Sequence, residues 1–118
     1  AMPDADLTAE GMNPLCGDEL TLYLKMDSDK IVEARFEGRG CSISLASASM
    51  LTEAVRGLTL REAKHLKERV KAMLTGALDE PFDENDDLSA LEGVQNYPLR
   101  NKCALLAWTT LEEMLEAR

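Results

Sequence analysis

Residues 38–50 read GRGCSISLASASM: two glycines bracket Arg39, a single cysteine follows Gly40, and a run of small residues carries on. Upstream, residues 31–37 alternate as a strand does; downstream, Ile43, Ala46, Met50, Leu51, Ala54 and Val55 fall at helical spacing. Cys41 therefore stands at a strand-to-helix junction, beside a helix N-terminus whose unpaired N–H groups and dipole favour negative charge. A thiolate is what such a position stabilises. The glycines permit a positive φ or the close approach of another backbone. The same pattern also suits a small buried cysteine in a tight turn, so the stretch sets the local fold and leaves the chemistry open.

Outward from this junction the elements follow in both directions. Residues 19–26 alternate, with Leu20, Leu22, Leu24 and Met26 on one face against Thr21, Tyr23 and Lys25. Residues 27–30 (DSDK) are turn-like, and 31–37 alternate again with Val32, Ala34 and Phe36 on one face. The two runs make an antiparallel hairpin. Residues 13–18 (NPLCGD) form a turn at its start, where Pro14 fixes φ, Gly17 permits a strained conformation and Asp18 caps local N–H groups. Cys16 precedes the hairpin and Cys41 follows it, so the pairing of its two ends brings distant thiols towards one site. Residues 1–12 (AMPDADLTAEGM) lack apolar periodicity and are expected to be a flexible entry segment.

On the other side, the helix that starts near Cys41 is expected to stop at Gly57. Thr59 and Glu62 offer a capping box for a second helix with Leu60, Ala63, Val70 and Leu74 facing inward. His65 falls on its charged face beside Lys64 and Lys67, where a solvated role outweighs a ligand role because nothing nearby in sequence completes a site. Residues 76–87 (GALDEPFDENDD) read as a solvated acidic linker; the central glycine and terminal glutamate of a calcium loop are missing. Residues 88–93 suit a short helical turn. Pro98 precedes a last helix with Leu105, Trp108, Leu111 and Leu115 as its apolar stripe, and Cys103 is placed in its first turn. The fold expected is α+β, a small antiparallel sheet of two or three strands packed against about three main helices. Residues 13–118 form its single domain.

At 118 residues the chain supports one modest core. Its 22 acidic and 13 basic residues give a net charge of −9, which opposes a nucleic-acid partner. No apolar run is long enough to cross a bilayer and the N-terminus has no signal-peptide pattern, so a cytoplasmic location is expected. Three cysteines, odd in number and far apart at 16, 41 and 103, make a poor disulfide framework. In a reducing compartment they point to metal or sulfur chemistry instead. Three thiolates with Asp18 would make a four-ligand site that suits zinc, and the same set could hold iron or an iron–sulfur cluster. Spacing alone is a weak signal for it, because there is no CxxC pair.

The segments NPLCGD, FEGRGCSISLASASM with TEAVRG, and GVQNYPLRNKCALLAW occur in that order and span most of the chain. Together they resemble the iron–sulfur cluster assembly family of IscU and the N-terminal part of NifU, most closely its SufU branch. The resemblance implies that Cys16, Asp18, Cys41 and Cys103 are the metal or cluster site. It further implies Zn2+ as cofactor, with iron or a [2Fe–2S] cluster as the alternative. Lys102 stands where the IscU branch carries histidine, and the span from Cys41 to Cys103 is longer than in IscU; both features are similar to SufU. Arg100 is implied to sit near the site, where a guanidinium favours thiolates or persulfides. An amphipathic helix that usually precedes NPLCGD in the family has no counterpart in residues 1–12, so apolar surface on the sheet or last helix is expected to be exposed.

What the resemblance implies for function is a zinc-dependent sulfur carrier that takes persulfide sulfur from a SufS-type cysteine desulfurase. Cys16 is then the acceptor, and downstream scaffold or acceptor proteins receive the sulfur. Such a protein is a sulfurtransferase if the transfer counts as catalysis. The alternatives are a scaffold that assembles and passes on a [2Fe–2S] cluster, and a structural zinc domain serving as an interaction module.

Overall fold

The structure, a computed structural model, describes residues 4–13, 17–75 and 98–116. Alternation in the hairpin sequence becomes two long strands, β2 (Asp18–Asp27) and β3 (Lys30–Arg39). Leu20, Leu22 and Leu24 of β2 point into the core, as expected. A third strand, β1 (Leu7–Asn13), pairs with the other edge of β2, giving an antiparallel sheet in the order β1-β2-β3. Three helices follow: α1 (Ser42–Val55), α2 (Leu60–Leu74) and α3 (Pro98–Glu116). Helix α3 packs on β1, β2, α1 and α2, while α1 packs on β3. One apolar cluster joins the inner face of the sheet to all three helices.

Two expectations give way. Residues 1–12 were expected to be flexible, yet Leu7–Asn13 is a strand. Its exposure does alternate, with Leu7, Ala9 and Gly11 turned inward and Thr8, Glu10 and Met12 outward. The inward position at Gly11 must be small because α3 lies close above: a Cβ there would overlap the Thr110 hydroxyl. Small inward residues carry little hydrophobic signal, so pairing with β2 and cover from α3 make this strand rather than propensity. On β3 Ala34 and Phe36 face the core as expected, but Val32 is 47 % exposed and Ile31 takes its place. The register explains it, because Lys25 pairs with Glu33 while Met26 pairs with Ile31. That shift leaves Val32 as the extra residue of a β-bulge, which reverses the alternation around it.

The helix boundaries follow their local signals. Helix α1 ends before Gly57, which has φ 85°. Thr59 caps α2 through the reciprocal pair with Glu62, the Glu62 N–H donating to Thr59 Oγ1 at 3.1 Å and the Thr59 N–H to Glu62 Oε1 at 3.0 Å. Such a cap is worth about 1 kcal/mol. The loop between these helices is tied to the hairpin tip by Ile31 N–H to Leu58 O at 2.8 Å and Gly57 N–H to Ile31 O at 2.7 Å. His65 is exposed on α2. Trp108 is fully buried, and its indole N–H donates to Ser47 Oγ at 3.0 Å, so the ring is core and its polar edge is satisfied. The acidic stretch 76–87 and the helical turn expected at 88–93 lie outside the described residues. No helix among the described residues is long and apolar enough to cross a membrane.

Candidate metal centre

The open end of the β2–β3 hairpin brings the site together. Pairing of Glu19 with Arg39 puts Asp18, the first residue of β2, beside Gly40, and the chain then turns directly into α1. Cys41 is the N-cap of that helix, and its sulfur accepts from the Ser44 N–H at 3.4 Å. Sulfur here takes the place that a serine or aspartate oxygen usually fills. From the other side α3 contributes Cys103, which is buried. Ligand atoms of Asp18, Cys41 and Cys103 all lie within 4.8 Å of one another.

Asp18 is fully buried, yet both of its oxygens are used. Oδ1 accepts from the Cys41 N–H at 2.8 Å, and Oδ2 accepts from the Ser44 hydroxyl at 2.8 Å and lies 3.9 Å from the Cys41 sulfur. Burial pushes the carboxyl up. The bonds from the Cys41 amide, the Ser44 hydroxyl and the Cys103 and Cys41 thiols together outweigh it and hold Asp18 below the usual carboxylate range. Cys41 behaves in the same way: burial raises its thiol, and donation from Ser44, Cys103 and the Ile43 amide brings it below the ordinary value. Gly40 is required at this point because a Cβ there would overlap the Asp18 carboxylate.

Of the five residues singled out in the sequence, Asp18, Cys41 and Cys103 come together. Cys16 lies outside the described residues, and Arg100 is on α3 one turn before Cys103, with only its backbone described. Cys103 departs from its expected place. Because α3 begins at Pro98, the cysteine falls in the second turn, and its thiol meets Asp18 and Cys41 instead of the free N–H groups of a helix end. The centre sits at the end of the sheet as expected, but Asp18 and Cys103 are buried and Cys41 is half-buried. Sequence reasoning missed Ser44. Its signal was its position three residues after Cys41, where a helix N3 amide meets the capping atom.

Two sulfur donors and one carboxylate oxygen converging on one point suit a tetrahedral zinc ion, and they equally suit a thiolate-bound iron site. Residues 2–104 match the NifU-like N terminal domain family. The chain is 43 % identical over 101 residues to the zinc-dependent sulfurtransferase SufU of Bacillus subtilis, covering 86 % of this chain and 69 % of that protein. It is also 43 % identical over 117 residues to the iron–sulfur cluster assembly scaffold protein IscU of Thermotoga maritima, covering 98 % and 80 %. In three dimensions it is similar to the crystal structure of an iron–sulfur cluster assembly scaffold protein for the SUF system from Fervidobacterium islandicum AW-1. That likeness has a TM-score of 0.87 and 43 % identity, and it covers 97 % of this chain and 83 % of the other.

Proposed function

The chain belongs to the family of NifU-like N terminal domains, and from that premise we propose that it is an iron–sulfur cluster assembly protein acting as a zinc-dependent sulfur carrier. The observation that carries this reading is the buried Asp18 carboxylate with the Cys41 and Cys103 thiols, ligand atoms within 4.8 Å of one another, in a chain similar to a protein named a zinc-dependent sulfurtransferase. Asp18, Cys41, Cys103 and Cys16 would hold the ion. Bound zinc keeps its cysteine ligands as thiolates at neutral pH.

The rest is done by the chain itself. A cysteine desulfurase of the SufS type presents a persulfide, and the Cys16 thiolate attacks its outer sulfur. A new S–S bond forms on Cys16, the donor's S–S bond breaks, and the desulfurase cysteine leaves as a thiolate. The outer sulfur on Cys16 then passes to a downstream scaffold or acceptor by the same exchange. Asp18 is the more exchangeable ligand of the set, a hard oxygen among soft sulfurs. Arg100, one turn before Cys103 on α3, supplies a guanidinium that favours the anionic persulfide.

A scaffold role is the second reading, favoured by the 98 % coverage of this chain by the Thermotoga maritima scaffold protein. The same three cysteines and Asp18 would then hold a [2Fe–2S] cluster as cargo. Lys102, exposed before Cys103, stands where the IscU branch carries a histidine, which favours the carrier. The deciding experiment measures cysteine desulfurase turnover with the zinc-loaded protein and its Cys16→Ala variant. Loss of stimulation is expected. Undiminished stimulation removes Cys16 as the acceptor, and a stable, transferable visible-absorbing cluster formed on anaerobic reconstitution would replace the carrier with the scaffold.

A further inference from the structure

Ser44 touches Asp18, Cys41 and Cys103, the three described residues of the centre, without being one of its thiol or carboxylate donors. Its hydroxyl lies 2.8 Å from Asp18 Oδ2 and 3.1 Å from the Cys103 carbonyl, and its N–H points at the Cys41 sulfur at 3.4 Å. Ser44 is 5 % exposed and its hydroxyl bonds are buried, so water competes little for them. Three segments distant in sequence, the start of β2, the start of α1 and the second turn of α3, therefore meet on one residue.

The geometry points to Ser44 as the positioning residue of the Asp18 ligand. The assignment rests on the metal reading above and adds to it how the carboxylate is aimed. Oδ1 is anchored on the Cys41 amide at 2.8 Å, which turns Oδ2 towards the sulfurs. The Ser44 hydroxyl donates to Oδ2, an oxygen 3.9 Å from the Cys41 sulfur, and uses one of its lone pairs while leaving another for an ion. Asp18 is thereby set as a one-oxygen ligand before any ion arrives, the arrangement that a tetrahedral site needs. Hydrogen bonds of this kind from outside the ligand set orient a ligand and usually account for 10–100-fold in metal affinity. A second serine one turn on, Ser47, donates to the Ala104 carbonyl at 2.6 Å and accepts from Trp108, so the α1–α3 seam that carries Ser44 stays closed when the Ser44 hydroxyl is removed.

The test is a double-mutant cycle on zinc affinity, read by competition with chelators of graded strength, on the wild type, Ser44→Ala, Asp18→Ala and the pair. Expected is a loss of roughly 10–100-fold for Ser44→Ala at unchanged stoichiometry, and about no further loss when the same change is made in Asp18→Ala. Cobalt(II) absorption of Ser44→Ala should keep the thiolate charge-transfer band while the d–d bands move, because sulfur ligation stays and the oxygen ligand shifts. Equal losses in both backgrounds, or a Ser44→Ala protein indistinguishable from wild type by affinity and by spectrum, would overturn the assignment while leaving the metal site intact. A wild type that competes for no zinc would overturn the metal reading itself, and the assignment with it.

Discussion

Helix α3 carries two polar clusters at opposite parts of its length, one part-buried and one buried, and they solve the same problem differently. Near its C-terminal part, Glu112 Oε2 accepts from Lys67 Nζ at 2.9 Å and from Lys71 Nζ at 2.8 Å, joining α3 to α2. Near its start, Cys103 meets Asp18 and Cys41. The first cluster sets positive charge against negative. In the second, Asp18 has no salt-bridge partner among the described residues and is held by an amide, a hydroxyl and thiols. A cluster with matched charges is complete by itself. One that collects a carboxylate and two thiols around a common point is electrostatically complete only with a cation in it.

This difference makes the first prediction the largest. Lys67 has a side chain only 7 % exposed, and Glu112→Ala leaves it with Glu68 at 4.0 Å as its remaining acidic neighbour. Removing one partner of such a pair costs about 3 kcal/mol, visible as a lower urea midpoint at unchanged slope. Metal content should be unaffected. The pH dependence has a definite sign. Hydrogen bonds from Lys71 and then Lys67 hold the Glu112 carboxyl below the usual range, so its contribution is present above the unfolded value of about 4.3 and is lost as pH falls through the lower folded value. Glu112→Gln should lose that acid-sensitive component. If Glu112→Ala released the metal as well, the two clusters would be one coupled unit.

How far the two clusters could be read in advance differs for a physical reason. The candidate centre was legible in outline because turn glycines, a cysteine at a helix N-terminus and the hairpin are local signals, and the structure brings Asp18, Cys41 and Cys103 together. The Lys67–Glu112 pair was not, since Lys67 reads with His65 and Lys64 as part of the charged face of α2, and it is buried instead because its partner Glu112 stands on α3, 45 residues away. Strand β1 fills the place of the optional third strand, but residues 1–12 gave it no pattern for the opposite reason: Gly11 has no side chain because α3 crosses it, so the tertiary contact that makes the strand also erases its signal. The bulge at Val32 breaks a period of two that sequence alone must assume continuous. Ser44 was invisible as a positioning group because serine at N3 of a helix is common, and only the approach of Asp18 and the Cys103 carbonyl gives its hydroxyl a task.

A mid-sized effect sharpens the contrast from the side of the metal centre. Gly40→Ala inserts a Cβ into the space of the Asp18 carboxylate, and relieving such overpacking costs about 1–2 kcal/mol. The carboxylate is the group that must move, because Gly40 is fixed between β3 and the cap of α1. Zinc retention should therefore fall in this variant while it holds in Glu112→Ala, measured side by side by elemental analysis after dialysis. Full retention would mean that Asp18 can leave its place without loss of the ion, and its standing as a ligand would go.

The smallest effect is the most informative. Asp18→Asn keeps the size of the side chain and an oxygen for the Cys41 amide, and the Ser44 hydroxyl still has the Cys103 carbonyl at 3.1 Å. What the metal-free protein loses is the charge assistance in those hydrogen bonds, about 1 kcal/mol or less, far below the change at Glu112. Urea unfolding of the two variants in a chelating buffer makes the comparison directly. A small loss for Asp18→Asn beside a large one for Glu112→Ala means that the fold does not depend on the Asp18 charge, which leaves ligand binding as the reason for burying a carboxylate that has no counter-ion among the described residues. A loss of about 3 kcal/mol in both would place Asp18 among the structural groups, and the two clusters on α3 would then differ only in which residues they use to hold the helices together.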